Sequence, residues 1–205
     1  MLLKFARVLE YSVLALLLTA SLSAIAHAQT TVFLDPASLK VGAVGDSFTV
    51  SVTTSDVANL YAYEFQLFYN SAVMNGTQVL QGSFLQSSGS AIFKVLNFTD
   101  HYDSTQGFVS IICTLTGNVP GVSGSGVLAA IEFKSLALAD SAALHLASVE
   151  LYDSNDSLIP NTEVNGTVTI VPEFTSVVAF FALIAASLFA VLVQKRPVRK
   201  ASAHE

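Results

Sequence analysis

Residues able to do chemistry are sparse in this chain. The densest polar cluster is Asp100-His101-Tyr102-Asp103, which could supply a general base or metal ligands. It falls between two strand-like runs and reads as a solvated turn. Between Gln29 and Val171 the only histidines are His101 and His145, and neither an H-E-x-x-H nor a G-x-S-x-G motif occurs. Asp153, Asn155 and Ser157 have the spacing of the first ligands of a calcium loop. Leu158 stands where that loop needs glycine, however, and Val164 where it needs a bidentate glutamate, so a hairpin turn is expected instead. Cys113, the only cysteine, lies in an apolar strand pattern and reads as a core residue, which also excludes an internal disulfide. The expectation is therefore no catalytic residues, no metal site and no cofactor. Four N-x-[ST] sequons, at Asn75, Asn97, Asn155 and Asn165, are candidate glycosylation sites if the chain is exported.

The elements that would hold these residues are strands. From Thr31 to Val171 the pattern alternates with period two, broken by Gly, Asn, Asp and Ser clusters. Phe48, Val50 and Val52 alternate with Ser47, Thr49, Ser51 and Thr53. Val109, Ile111, Cys113 and Leu115 form a second inward set, and Val127, Ala129, Ile131 and Phe133 a third. The longest signal sets Tyr61, Tyr63, Phe65, Leu67 and Tyr69 inward and Ala62, Glu64, Gln66 and Phe68 outward. Shorter runs at Val32 to Leu34, Gln78 to Leu80, Ile92 to Asn97, Ala143 to Leu146, Val149 to Tyr152 and Thr167 to Val171 bring the total to about nine strands. The fold class is all-β, with two packed sheets. Asn75-Gly76 and Asn165-Gly166 are expected to supply the positive backbone angles of tight hairpins. Gly121 to Gly126 reads as a glycine and serine loop. It lacks the P-loop lysine and leads into a strand, so it is not a phosphate cradle.

Mean hydropathy is +0.60 with 12% charged residues, and the excess of apolar residues sits at the two ends. Lys4 and Arg7, an apolar run from Tyr11 to Leu22 and the small-x-small site Ala26-His27-Ala28 mark residues 1–28 as a secretory signal peptide, with Ala26 and Ala28 as processing residues. Phe174 to Val193 is an uncharged stretch of the length a membrane-crossing helix needs, and Lys195, Arg196, Arg199 and Lys200 follow it. This order places the β domain, residues 29–171, outside the cell membrane. Residues 172–193 form the anchor and residues 194–205 a basic cytoplasmic tail. The exported segment sets three lysines against twelve Asp and Glu residues, a net charge of −9. Such a surface disfavours nucleic acid.

With the strands placed, the segment resembles the cohesin family. Three stretches carry the match: Val41-Gly42-Ala43-Val44-Gly45-Asp46-Ser47-Phe48-Thr49-Val50; Leu60-Tyr61-Ala62-Tyr63-Glu64-Phe65-Gln66-Leu67-Phe68-Tyr69-Asn70; and Gly121-Val122-Ser123-Gly124-Ser125-Gly126-Val127-Leu128-Ala129-Ala130-Ile131-Glu132-Phe133-Lys134. Asp153-Ser154-Asn155 before the last hairpin also fits. The resemblance implies a nine-stranded jelly-roll β-sandwich that captures a dockerin-like protein partner in polysaccharide-degrading assemblies. It also implies that the long strand lies on the partner-facing sheet, with Glu64 matching an acidic position there and Gln66 and Phe68 on the same face. Any calcium requirement would then fall on the partner. The chain departs from the family at Asn70-Ser71, where Asp-Pro is usual, and at Ala62, where Asn is frequent. Pro172-Glu173-Phe174 before the apolar span resembles PEF-type sorting signals of archaeal surface proteins, which implies processing by an archaeosortase.

Three functions compete at this point: capture of a protein partner, direct carbohydrate binding, and a structural role in a surface layer. Sugar platforms need coplanar Trp or Tyr on one sheet face. This chain has no Trp, and Tyr61, Tyr63 and Tyr69 fall on the inward side. Protein capture is the leading expectation.

Overall fold

A computed structural model describes residues 29–172 and 176–194. The expected leader 1–28, with Ala26 and Ala28, lies outside the described residues, as do Glu173, Phe174 and the tail from 195. Among the described residues ten strands follow one another: β1 (Thr30–Asp35), β2 (Ser38–Val41), β3 (Ser47–Asn70), β4 (Met74–Gln81), β5 (Ala91–Thr99), β6 (Gln106–Leu115), β7 (Val122–Ser135), β8 (Ala139–Asp153), β9 (Asn161–Val164) and β10 (Gly166–Ile170). The helix α1 is Ser176–Gln194.

The strands fold into two layers that share β3. Its N-terminal half pairs with β7 and β1, and β4 and β9 extend that layer. Its C-terminal half pairs with β6 and β8, and β5, β10 and β2 extend the other. The expected runs 48–53 and 61–69 are thus one bent strand of 24 residues. The bend is made by Asp56 (φ 55°) and Asn59 (φ 58°), both left-handed. Ser125 Oγ accepts the Asp56 N–H at 3.1 Å and Ser123 Oγ accepts the Asn59 N–H at 2.9 Å, so the bend leaves neither donor unpaired. The Gly121 to Gly126 stretch expected as a loop is therefore mostly the irregular start of β7. Gly121 is required there, because a Cβ would collide with the Asn59 carbonyl.

The runs expected at 143–146 and 149–152 are also a single strand, β8, irregular where Ser148 takes φ 49°. The Asn-Gly pairs do not form the expected hairpins, since neither Gly76 nor Gly166 has a positive φ. Gly76 lies inside β4, where a side chain would run into the Phe98 ring. It is needed for close approach, not for turning.

Between the layers lies one apolar core. Val50, Val52, Phe65, Leu67, Val109, Ile111, Cys113, Ile131 and Phe133 are all inaccessible to solvent, as alternation required. A register shift opposite Val52 and Thr53 exchanges one expected member, turning Leu128 inward at 1% exposure and leaving Val127 half-buried. The bulged Leu128 carbonyl is satisfied twice, by the Gly82 N–H at 2.8 Å and by the Tyr63 hydroxyl at 2.5 Å. Burial, and next the neighbouring Cys113, push the Tyr63 hydroxyl pKa far above its ordinary value.

Among the described residues no helix is long and apolar enough to cross a membrane. The side chains of α1 are described only from Phe180 to Phe189, about half of the expected span. Phe180, Phe181, Leu183, Leu188 and Phe189 are each at least 60% exposed.

Candidate interaction face

The outward surface of β5, β6, β3 and β8 is a four-by-four array set by strand register. Crossing from β5 to β8, the first row is Ile92, Thr114, Ala62 and Tyr152, and the second is Lys94, Ile112, Glu64 and Glu150. The third is Asn97, Ser110, Gln66 and Ala147, and the fourth is Thr99, Phe108, Phe68 and His145. Glu64, Gln66 and Phe68, the expected partner-facing residues, thus occupy one column, half-buried, between β6 and β8.

Two carboxylates meet on this face, because Glu64 lies directly opposite Glu150 in the β3 and β8 register. Like charges so placed oppose folding. The Tyr152 hydroxyl donates to Glu150 Oε2 at 2.5 Å, and that bond first, then burial and the two carboxylates, raise the tyrosine pKa. Lys94 sits two strands from Glu64, roughly 10 Å away across the sheet. The face is positive at its β5 edge and negative at its β8 side.

Its apolar part was not legible in the sequence. Ile92 (49% exposed), Leu96 (56% exposed) and Ile112 line a cavity of about 350 Å³ with Lys94 and Thr114. Leu96 has the parity of Ile92 and Lys94 and stays on their side; the ladder then skips a residue between Val95 and Asn97, a bulge that sets Asn97 outward and Phe98 toward the core and that period-two reading cannot anticipate. Phe68 is less open than expected. Its ring packs on Phe108 at 4.9 Å and beneath Tyr102 at 5.3 Å and 71°, so Tyr102, 55% exposed, is the accessible aromatic.

The other candidate residues have structural work. Asp100 Oδ1 accepts the Tyr69 hydroxyl at 2.7 Å and the Gly76 N–H at 2.9 Å, tying the β5–β6 turn to the core. Asp103 Oδ1 accepts the N–H groups of Thr105 and Gln106, which holds its carboxyl below the usual range. His101 and His145 are exposed and belong to no metal cluster among the described residues. Asp153 Oδ1 accepts the N–H groups of Ser157 and Asn155 in a turn with Asp156 at φ 59°, so that carboxylate closes a hairpin. Cys113 is fully buried; desolvation pushes its thiol up, and Gln81 Nε2 lies 3.7 Å from Sγ. Of the sequons, Asn97, Asn155 and Asn165 are exposed, the last accepting the Leu146 N–H through Oδ1. Asn75 is half-buried with its Oδ1 enclosed and unpaired.

The family model for the cohesin domain matches residues 28–170. A non-cellulosomal cohesin from the hyperthermophilic archaeon Archaeoglobus fulgidus is 26% identical at a TM-score of 0.56, covering 73% of this chain and 96% of its own. CaCohA2 from Clostridium acetobutylicum is also 26% identical at a TM-score of 0.55, covering 70% of this chain and 92% of its own. The third cohesin ScaC of Acetivibrio cellulolyticus, solved in complex with the ScaB dockerin, shares the fold at 18% identity and a TM-score of 0.57, with 69% and 99% of the two chains covered. No curated protein matches the chain significantly. A β-sandwich matched over nearly all of its described strands, with these structures as its likenesses, makes this chain a member of the cohesin domain family, whose domains are non-catalytic protein-interaction modules.

Proposed function

We propose that the chain is an exported, membrane-anchored capture module that holds a dockerin-like protein at the outer cell surface through the β5, β6, β3 and β8 face, in the service of polysaccharide breakdown. The observation that carries the reading is the composition of that face. It combines a shaped apolar cavity, an accessible tyrosine and two facing carboxylates that no cation of the domain neutralises across the register. A partner helix bearing an aliphatic knob and a basic side chain would complete both. Binding of polysaccharide itself is the weaker alternative, because Tyr102 and Phe68 meet edge to face and Tyr63 and Tyr69 are buried, leaving no coplanar platform. A purely structural surface-layer role gives the facing carboxylates no purpose. Titrating the chain calorimetrically with each dockerin module of its own genome tests the reading; saturable binding of a polysaccharide with no response to any dockerin would overturn it.

Anchoring is supported by the uncharged sequence from Phe174 to Val193 and the basic residues after it. The 19 residues of α1, about 28 Å of helix, expose phenylalanine and leucine side chains that water solvates poorly. Cleavage after Ala28, archaeosortase-type processing at Pro172-Glu173-Phe174, and sugars on the exposed sequons belong to the same reading. If protease added to intact cells spared the domain, the outward topology would be wrong.

A further inference from the structure

We propose that the end of the sandwich next to the anchor is itself a lipid-contacting surface, seated in the headgroup region of the membrane. The proposal rests on the anchoring reading above. β10 ends at Ile170 and α1 begins at Ser176, so an extended connection spans at most about 20 Å. Whatever lies at that end of the domain is then kept within about 20 Å of where α1 enters the bilayer.

Four segments lie there. The Val171 N–H donates to the Val41 carbonyl at 3.1 Å, which places the segment between β2 and β3 beside the exit. Ala139 pairs with Ile170, which places the turn between β7 and β8 there as well. The Gly45 N–H donates to the Ser135 carbonyl at 2.9 Å and the Leu136 N–H to the Val73 carbonyl at 2.7 Å, tying these segments to the turn between β3 and β4. The Ser71 N–H donates to the Thr105 carbonyl at 3.0 Å, which brings the turn between β5 and β6 to the same end. Their tips expose aliphatic side chains: Val44 at 49%, Leu136 at 45% and Leu138 at 56%.

The charge pattern points the same way. Exposed at this end are Lys40 and Lys134 against Asp46, Asp103 and Asp140, with Asp100 half-buried beside them, a net charge of −2. The rest of the domain sets Lys94 alone against eight Asp and Glu residues. An anionic headgroup layer would repel the rest of this surface more strongly, whereas an end that carries two of the domain's three lysines and three exposed aliphatic side chains enters the interface at less electrostatic cost. Seated this way, the domain stands on its loops with the β5, β6, β3 and β8 face turned sideways, free to receive a partner.

Because the chain contains no tryptophan, a single introduced one is an unambiguous reporter. The full chain carrying Leu138→Trp, or Leu136→Trp as a second reporter, is reconstituted into phosphatidylcholine vesicles with a minority of phosphatidylglycerol. Leu158→Trp, at the far end of β8 and 59% exposed, is the reference. The proposal expects a blue-shifted emission for the Leu138 and Leu136 reporters, quenched roughly twofold by acyl-brominated lipid, and a water-like, unquenched emission for the Leu158 reporter. If the vesicles float with the chain but all three reporters are water-like, or all three are quenched, end-on seating is overturned and anchoring survives. If the chain does not float with the vesicles, anchoring falls and this proposal with it.

Discussion

Replacing Glu64 with lysine should separate binding from folding, because the two respond with opposite sign. In the native register Glu64 faces Glu150 across β3 and β8, an arrangement that costs roughly 0.2–1 kcal/mol relative to neutral neighbours. Glu64→Lys turns that repulsion into an attractive cross-strand pair, a gain of roughly 0.5–1 kcal/mol once the exposure of Glu150 is allowed for. For a domain of this size that raises Tm by about 1–4 °C. Capture of a dockerin-bearing partner should weaken by about 1–3 kcal/mol, roughly 5- to 150-fold in Kd, through charge mismatch and loss of a charge-assisted hydrogen bond. Scanning calorimetry of the variant reads the first effect and titration calorimetry the second. A melting temperature that collapses would return Glu64 to a structural role. An affinity that does not move would place the interface elsewhere on the domain.

Asp100→Ala strands the Gly76 N–H and leaves the Tyr69 hydroxyl only the Thr99 carbonyl at 3.3 Å, and should cost about 1–3 kcal/mol in denaturant unfolding, with non-additivity in a cycle with Tyr69→Phe. Gly121→Ala should destabilise by about 1–3 kcal/mol, because the Asn59 carbonyl that its methyl would strike is backbone and cannot swing away. Cys113 should resist maleimide labelling at neutral pH in the native chain and react fully in denaturant, since its thiol is buried with a raised pKa. Backbone N–H groups hold the Asp153 carboxyl below its ordinary value of 3.8, so its contribution to stability is present above that value and lost as pH falls through the lower folded one. The stability difference between the native chain and Asp153→Ala should therefore be full near neutrality and shrink in acid unfolding series below about pH 4.

Period-two alternation made the two faces of β3, β6 and β7 legible, because burying one face of a strand leaves a mark at every second residue. What it could not convey is where strands join, bend or bulge. The bend in β3 depends on Asp56 and Asn59 taking left-handed angles, and those are satisfied by Ser125 and Ser123 from a segment more than 60 residues away. The bulge that sets Asn97 outward and Phe98 inward leaves no local signature either. Asn75-Gly76 misled because glycine serves close approach as well as turning: the Phe98 ring, not a positive φ, forbids a side chain at Gly76. Glu64, Gln66 and Phe68 were legible as one outward column. Their neighbours Glu150 and Ile92 came together only through strand register, and Tyr102 through packing of the β5–β6 turn on Phe68 and Phe108.

The most direct test of the account is amide hydrogen exchange of the anchored chain with and without a dockerin module that it binds. New protection should appear on β5, β6, the C-terminal half of β3 and β8, centred on the rows through Glu64 and Gln66. Protection confined instead to β4, β7, the N-terminal half of β3 and β1, with the Glu64 rows exchanging as in the free chain, would contradict it.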